Sequence, residues 1–421
     1  MHQNKSAHDP YAALRIKEFL FFLNTRFFLT LAIQMQSVIV AWQIYDITKD
    51  ELALGIIGLS EAIPFIIVSF FAGHVADTVS RKLIILISVS FLIVSTSALL
   101  YFSLDTSTIL ENYGTLPIYL VFGFIGIVRG FISAAFPAFM AQIVPREHYA
   151  NSATWNSSIW HIGAVVGPAI AGIICTISFS AAYTINIVFI VLSIFSFVFI
   201  ASKPLPLKVK KESLKESLSG GIKFVFSNQL ILGALSLDLF AVLFGGAVAM
   251  LPAFADKILH VGSMELGFMR AIPAVGAIFT AIILAYKPIT KNAGRNLFVN
   301  VALFGVATIL FAISTNYYLS LFFLFLTGAF DNVSVVIRHT ILQLATPDEM
   351  RGRVSAVNSI FIGSSNEIGA FESGVAASAM GGGAIGLVRS VIFGGVMTIL
   401  IVAGTYKVAP KLRKLNLKEI E

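Results

Sequence analysis

Runs of about 20 apolar residues recur along the whole chain, separated by short polar breaks, and this pattern constrains the fold more than any other feature. A helix rising 1.5 Å per residue needs about 20 residues to cross a hydrocarbon layer of roughly 30 Å. The runs fall at about 19–45, 52–74, 83–104, 116–140, 155–176, 180–201, 228–255, 264–286, 296–314, 317–344, 355–379 and 384–406, which makes twelve. Charged residues make up 12% of the chain, where a soluble domain carries roughly 25%. A soluble enzyme is excluded. The single cysteine, Cys175, rules out an intrachain disulfide or a Cys-cluster metal site, and neither a metal nor a cofactor is expected.

The net charge of +7 does not read as nucleic-acid binding, because the basic residues lie between apolar runs rather than on a folded soluble surface. They orient the chain instead. With alternate breaks grouped, one side holds 22 of the 29 Lys and Arg residues and the other holds Lys49, Lys257 and Arg389. Arg26, Arg129, Arg270 and Arg338 lie inside runs. Twelve crossings put both termini on the basic side, and the positive-inside rule places that side in the cytoplasm. No short apolar stretch with a small-residue cleavage site follows the polar stretch from Met1 to Glu18, so no signal peptide is expected.

The longest break divides the chain into an N-terminal six-helix bundle over 1–201, a cytoplasmic linker over 202–227 and a C-terminal six-helix bundle over 228–421. The lysines from Lys203 to Lys223 read as a solvated tether, with contact to anionic lipid as the alternative. At a constant offset of 202, Pro145 matches Pro347, Glu147 matches Glu349, Asn156 matches Asn358, Ser157 matches Ser359, Gly167 matches Gly369 and Gly172 matches Gly374. Spans four and five therefore correspond to spans ten and eleven. Two similar halves about a shared axis imply a cavity between them that opens to either side in turn.

After span two comes Gly73-His-Val-Ala-Asp77-Thr-Val-Ser80-Arg81-Lys82. Gly73 permits close helix approach, Asp77 can accept from a neighbouring helix N-terminus, and Arg81 and Lys82 hold the loop at the cytoplasmic face. The stretch resembles the G-x-x-x-D-x-x-G-R-K loop of the major facilitator superfamily, with Ser80 in place of a glycine. A second copy, Lys287 to Arg295, has Lys291 where the acid would stand, so a latch of this kind is expected to be stronger in the first half. Span five carries Gly163, Gly167, Pro168 and Gly172, similar to the G-x-x-x-G-P-x-x-G-G motif of that superfamily's proton-coupled antiporters, with Ala171 replacing one glycine. There Gly163 and Gly167 admit a tightly packed partner helix and Pro168 removes a backbone donor and invites a kink. The stretches Thr346 to Gly374, Asp331 to Gln343 and Asp238 to Pro252 look like the bacterial branch of the superfamily that includes the enterobactin exporter.

Charges inside a span cost about 2.5–3.5 kcal/mol on insertion scales and mark functional candidates. Arg26, Thr30, Gln34 and Ser37 share one face of span one, which should line the cavity. Asp331, Ser334 and Arg338 share a face of span ten, but the acid and the base are about 10 Å apart along the axis and need other partners. Asp238, Asp331, Glu367, Glu372 and Glu61 are the candidate proton-coupling carboxylates; Arg26, Gln34, Arg129, Arg338 and Asn358 are candidate cavity or ion-pair residues. Asp46, Asp256 and Lys257 read as solvated span ends, His161 as a hydrogen-bonded packing histidine, and Trp42 with Tyr45 as an interfacial belt. Trp155 and Trp160 read as an interface anchor, with an aromatic cargo surface as the alternative.

These readings describe an all-α membrane protein of twelve spans in two pseudo-symmetric bundles, with no enzymatic activity. The resemblance implies a monomeric, multi-pass protein of the bacterial cytoplasmic (inner) membrane that exports amphipathic small molecules, drugs or siderophores, in exchange for protons. A lysophospholipid flippase or a solute importer on the same scaffold is the nearest alternative. A membrane-embedded lipid enzyme is disfavoured, since the chain has no H-E-x-x-H, no G-x-S-x-G and no P-loop.

Overall fold

A computed structural model describes residues 9, 11–204, 214–245, 247–289, 291–347 and 350–417. Lys5, Pro206, Lys208, Lys210, Lys211, Glu349 and Lys418 lie outside the described residues. Within these, all regular structure is helical: α1 (Lys17–Thr48), α2 (Glu51–Thr78), α3 (Arg81–Phe102), α4 (Ile109–Tyr113), α5 (Leu116–Ile143), α6 (Tyr149–Cys175), α7 (Phe179–Val198), α8 (Leu214–Ser227), α9 (Gln229–Gly245), α10 (Leu251–Lys257), α11 (Ser263–Tyr286), α12 (Ala293–Ile313), α13 (Tyr317–Ala345), α14 (Arg351–Ala379), α15 (Gly383–Val408) and α16 (Pro410–Arg413). A backbone in hydrocarbon must satisfy its own hydrogen bonds, which helices do within one segment. Among the described residues eleven spans are long and apolar enough to cross, α9 and α10 together forming one of them across a break before Pro252. The twelfth, α14, is the polar one, because Asn358, Ser365 and Ser373 are buried in it against protein.

Short loops demand caps. Asp50, Ser178 and Asn316 each accept a backbone N–H at the start of the following helix, at 3.0, 3.0 and 3.1 Å. Helices α1–α3 and α5–α7 form one bundle, α9–α15 the other. The side on which α1 begins and α15 ends is the terminal side, and the opposite one the far side.

The two bundles repeat one another in atomic detail. His148 N–H donates to Pro145 O and Met350 N–H to Pro347 O, both at 2.9 Å, in the same turn of each half at the offset of 202. Gly167 packs against Leu31 O of α1, and its counterpart Gly369 against Leu243 O of α9. Leu31 and Leu243 stand at an offset of 212, which sets the register of the earlier helices. The seams between bundles follow the same rule. A Cβ at Gly172 would lie 2.5 Å from Ser263 O and 2.8 Å from Gly267 Cα; one at Gly374 would lie 3.0 Å from Glu51 O and 3.1 Å from Gly55 Cα. Ser263 and Gly267 match Glu51 and Gly55 at the same offset of 212. Only glycines let helix backbones approach so closely in lipid, so these two seams close the far side.

Contact between α2 and α14 continues inward to the level of Phe65 and Gly363. Nearer the terminal side, Gly73 has open space, with no atom within 4 Å of where a Cβ would stand. The expected close approach at Gly73 is therefore absent among the described residues. The linker is more than a tether: α8 seats Gly220 and Gly221 on Arg353 and buries Val225 with Leu235, Val354 and Val357.

Candidate functional site

The loop after α2 is held by cations rather than by its acid. Arg81 donates to Ala76 O and, at 2.9 Å, to Ala138 O in the last turns of α5. Lys82 donates to Val198 O and Ile200 O at the end of α7, where unpaired carbonyls carry the negative end of the helix dipole. Asp77 accepts from Arg81 at 3.2 Å, is otherwise exposed, and among the described residues accepts from no neighbouring helix N-terminus. The second-half loop uses different chemistry: the C-terminal segment covers it, with Gly294 N–H donating to Leu415 O at 3.2 Å and Asn292 N–H to Asn416 Oδ1 at 2.7 Å. A side chain at Gly294 would collide with Leu412 O.

On α1, Arg26, Gln34 and Ser37 keep partial exposure between buried neighbours, while Thr30 is buried. Thr30 faces Gly163 and the Gln34 Cβ faces Gly167. α6 runs unbroken through Pro168, whose carbonyl lies against Gly267 across the bundle seam. The Arg26 guanidinium stands 5.3 Å over the Phe136 ring, and its Nε has no hydrogen-bond partner.

The carboxylates divide into groups. Glu61 of α2 pairs with Arg129 of α5. Glu367 of α14 abuts Gly58 of α2 and lies within electrostatic reach of both Arg129 and Arg270. These four side chains, two acids and two bases drawn from both bundles, form a balanced quartet. Arg270 of α11, whose Nε is buried without a partner, was legible as a charge within a span but not as a member of this set. In the second bundle Asp238 of α9 pairs with Arg338 of α13, both buried. Asp331 shares a small pocket with Asp238 and Ser334, bounded by Val301 and Phe304 of α12. Glu372 and Asn358 join neither group: Glu372 has no ion pair among the described residues, and Asn358 is buried toward the terminal end of α14. A separate groove of about 500 Å³ between α9 and α15 has no charged residue in its lining.

The 202 and 212 registers align these groups across the halves. Arg129 corresponds to Asp331, and Glu61 to Pro273. Gly126 meets Glu61 O and Gly328 meets Pro273 O in the same way, which fixes the correspondence. Where the first half holds a base with an acid partner, the second holds an acid opposite a proline.

Four readings of the far side and of α6 are corrected. Tyr45 is not an interfacial belt residue; it is fully buried and its hydroxyl donates to Asp256 at 3.0 Å. Asp256 and Lys257 are not solvated ends: Lys257 donates to Glu51 at 2.5 Å and to Lys49 O at 3.1 Å, tying α10 to α1 and α2. Glu51 carried no sequence signal beyond its place at a span end. His161 packs edge-on against Trp160, with its Nδ1 lacking a hydrogen-bond partner.

Comparison with known proteins matches residues 22–370 to the family model for the Major Facilitator Superfamily. The Staphyloferrin A transporter of Staphylococcus aureus is 23% identical over 423 residues, 95% of this chain and 98% of that protein. The Enterobactin exporter EntS of Shigella boydii is 25% identical over 292 residues, covering 68% of this chain and 67% of its own. A bacterial homologue of the human lysosomal transporter Spinster, in an inward-facing and unoccupied conformation, superposes with a TM-score of 0.71 at 15% identity over 95% of this chain and 99% of that one. A D-xylose-proton symporter gives 0.70 at 14% identity, over 94% and 99%.

Proposed function

Given that the chain belongs to the Major Facilitator Superfamily and is a membrane transporter, not an enzyme, we propose that it exports amphipathic small molecules, drugs or siderophores, in exchange for protons. Both termini then face the cytoplasm of a bacterial inner membrane, in keeping with the basic terminal side. In that orientation the closed far side is periplasmic. The names of two relatives, a siderophore transporter and a siderophore exporter, support the cargo class and, for the second, the direction.

The single observation that carries proton coupling is the charge count at Asp238, Asp331 and Arg338. One guanidinium neutralises one carboxylate, and the second carboxylate faces the same small pocket with no base paired to it among the described residues. An uncompensated charge at that depth is expensive, and protonation removes it at the smallest steric cost. Asp331 is therefore the proton carrier and Asp238 the group that competes with it for Arg338. Glu61 and Glu367, held in the balanced quartet, tie the bundles together during the swing between states.

Proteoliposomes with an imposed pH gradient and a panel of dyes and siderophores test this reading. Wild type should move cargo against its gradient when protons flow the other way. Asp331→Asn should keep downhill exchange and lose the pH-driven component. Cargo accumulation by Asp331→Asn equal to that of wild type would refute the assignment.

A further inference from the structure

The two halves differ at one matched pair of positions. In the 212 register Arg26 of α1 corresponds to Asp238 of α9, and in the 202 register Phe136 of α5 corresponds to Arg338 of α13. The second half fills this place with an ion pair, each charge the counter-ion of the other. The first half fills it with Arg26 over the Phe136 ring and, among the described residues, no paired carboxylate. Acids of the first half are engaged elsewhere: Glu18 by Lys203 at 2.5 Å, Asp9 by Arg15, Asp46 by Lys49, Glu51 by Lys257 and Glu61 by Arg129.

Arg26 Nε is buried with no hydrogen-bond partner among the described residues, and Asn156 stands on the adjoining α6. An arginine within a span nearly always has a counter-ion, so Arg26, with no carboxylate paired to it among the described residues, calls for an anion. Helical register supports the proximity of Arg26 and Asn156. Thr30 meets Gly163; Arg26 lies one turn before Thr30, and Asn156 two turns before Gly163, both toward the terminal side. Trp160, 39% exposed, stands next to His161 on the same stretch.

We propose that Arg26 anchors a cargo subsite for an aryl carboxylate, the anion taking the place that Asp238 holds in the other half. The guanidinium presents its donors to the carboxylate as a fork, Asn156 adds a donor to the anion through its amide nitrogen, and Phe136 and Trp160 contact the ring. The subsite rests on the transporter reading and narrows its cargo to acids.

The test uses the full-length chain in neutral phosphatidylcholine nanodiscs, with tryptophan quenching as readout and 2,3-dihydroxybenzoate as probe, against its neutral amide. Wild type should bind the acid at least tenfold more tightly than the amide. Arg26→Ala should lose that preference, binding the acid at least tenfold more weakly and the amide unchanged; Arg26→Lys should recover part of it. Thermal unfolding without probe controls for folding, and Asn156→Ala, which leaves the arginine in place, should weaken the acid severalfold. Equal binding of acid and amide by wild type, or wild-type acid binding by Arg26→Ala, overturns the proposal. So does stabilisation by added phosphatidylglycerol that depends on Arg26 while the acid has no effect, which would make the site a lipid headgroup site. No pH gradient enters this assay, and Asp331→Asn, which should lose pH-driven accumulation, should still bind the acid here, so the two readings fail separately.

Discussion

Substituting Lys257 by Met should release the far side. Lys257 joins Glu51 at 2.5 Å and the Lys49 carbonyl at 3.1 Å, and its bundle is held to the other there also by the Tyr45–Asp256 hydrogen bond. The Glu51 side chain is 5% exposed and that of Lys257 24%. Breaking a fully buried pair by removing one partner costs about 3–5 kcal/mol; with a quarter of the lysine in solvent, about 2–3 kcal/mol is appropriate here. The contact exists only while the far side is closed, and in the open state both groups are hydrated. The whole loss therefore shifts the closed-to-open equilibrium, by about 30- to 150-fold. The assay is maleimide labelling from the far side at Ser263→Cys, on the seam with Gly172, in a background where the lone Cys175 is replaced by Ser. Lys257→Met should raise the labelling rate toward that factor, and adding Glu51→Gln should bring it part of the way back, since no orphaned charge remains. An unchanged rate in Lys257→Met, or a double variant that labels faster than the single one, would refute the clasp.

Further outcomes follow from the same contacts. Gly267→Val places a branched side chain where Pro168 O already lies 2.5 Å from a Cβ position, so the seam should stay ajar and Ser263→Cys should label faster. Lys82→Ala removes two charge-assisted bonds to the end of α7 and should cost about 1.5–3 kcal/mol of stability, read by thermal unfolding. Arg338→Met should destabilise the second bundle by about 3–5 kcal/mol, and Arg338→Met with Asp238→Asn should recover most of it in the same measurement. Removing residues from Pro410 onward exposes the loop at Gly294 and should lower the unfolding temperature of the chain, whereas a surface truncation would not.

The spans were legible because burying a backbone in hydrocarbon requires a long apolar run, and that demand is written locally. Even the polar α14 was found, since the repeat carried it. The ion pairs were not legible. Glu51 and Lys257 are 206 residues apart, each at a helix end where hydration is the default, and only closure of the two bundles brings them together. Arg338 was recognised as needing a partner other than Asp331, but which acid supplied it depended on how α9 rotates against α13. Tyr45 misled for the same reason: an aromatic near a span end has the same sequence signature whether it faces headgroups or the other bundle. The loop motif was found by its residue types, yet its acid is exposed and its bases do the anchoring.

Charge balance sorts the buried ionisable residues by task more sharply than burial does. Glu61, Arg129, Arg270 and Glu367 sum to zero and join both bundles, so nothing has to arrive or leave for them to persist as the bundles move. Asp238, Asp331 and Arg338 sum to one negative charge, and Arg26 stands as one positive charge, in matched places of the two halves. A membrane interior keeps neither imbalance without compensation. On the reading proposed above, a proton compensates the first and an anion the second, and each departs when its site opens to water. The two unbalanced sites sit on the central helices of different bundles, so both are carried through the same rearrangement. Exchange then requires only that proton and anion favour opposite states of it. The balanced quartet supplies no such bias, and that is why the coupling is assigned to the residues whose charges do not cancel.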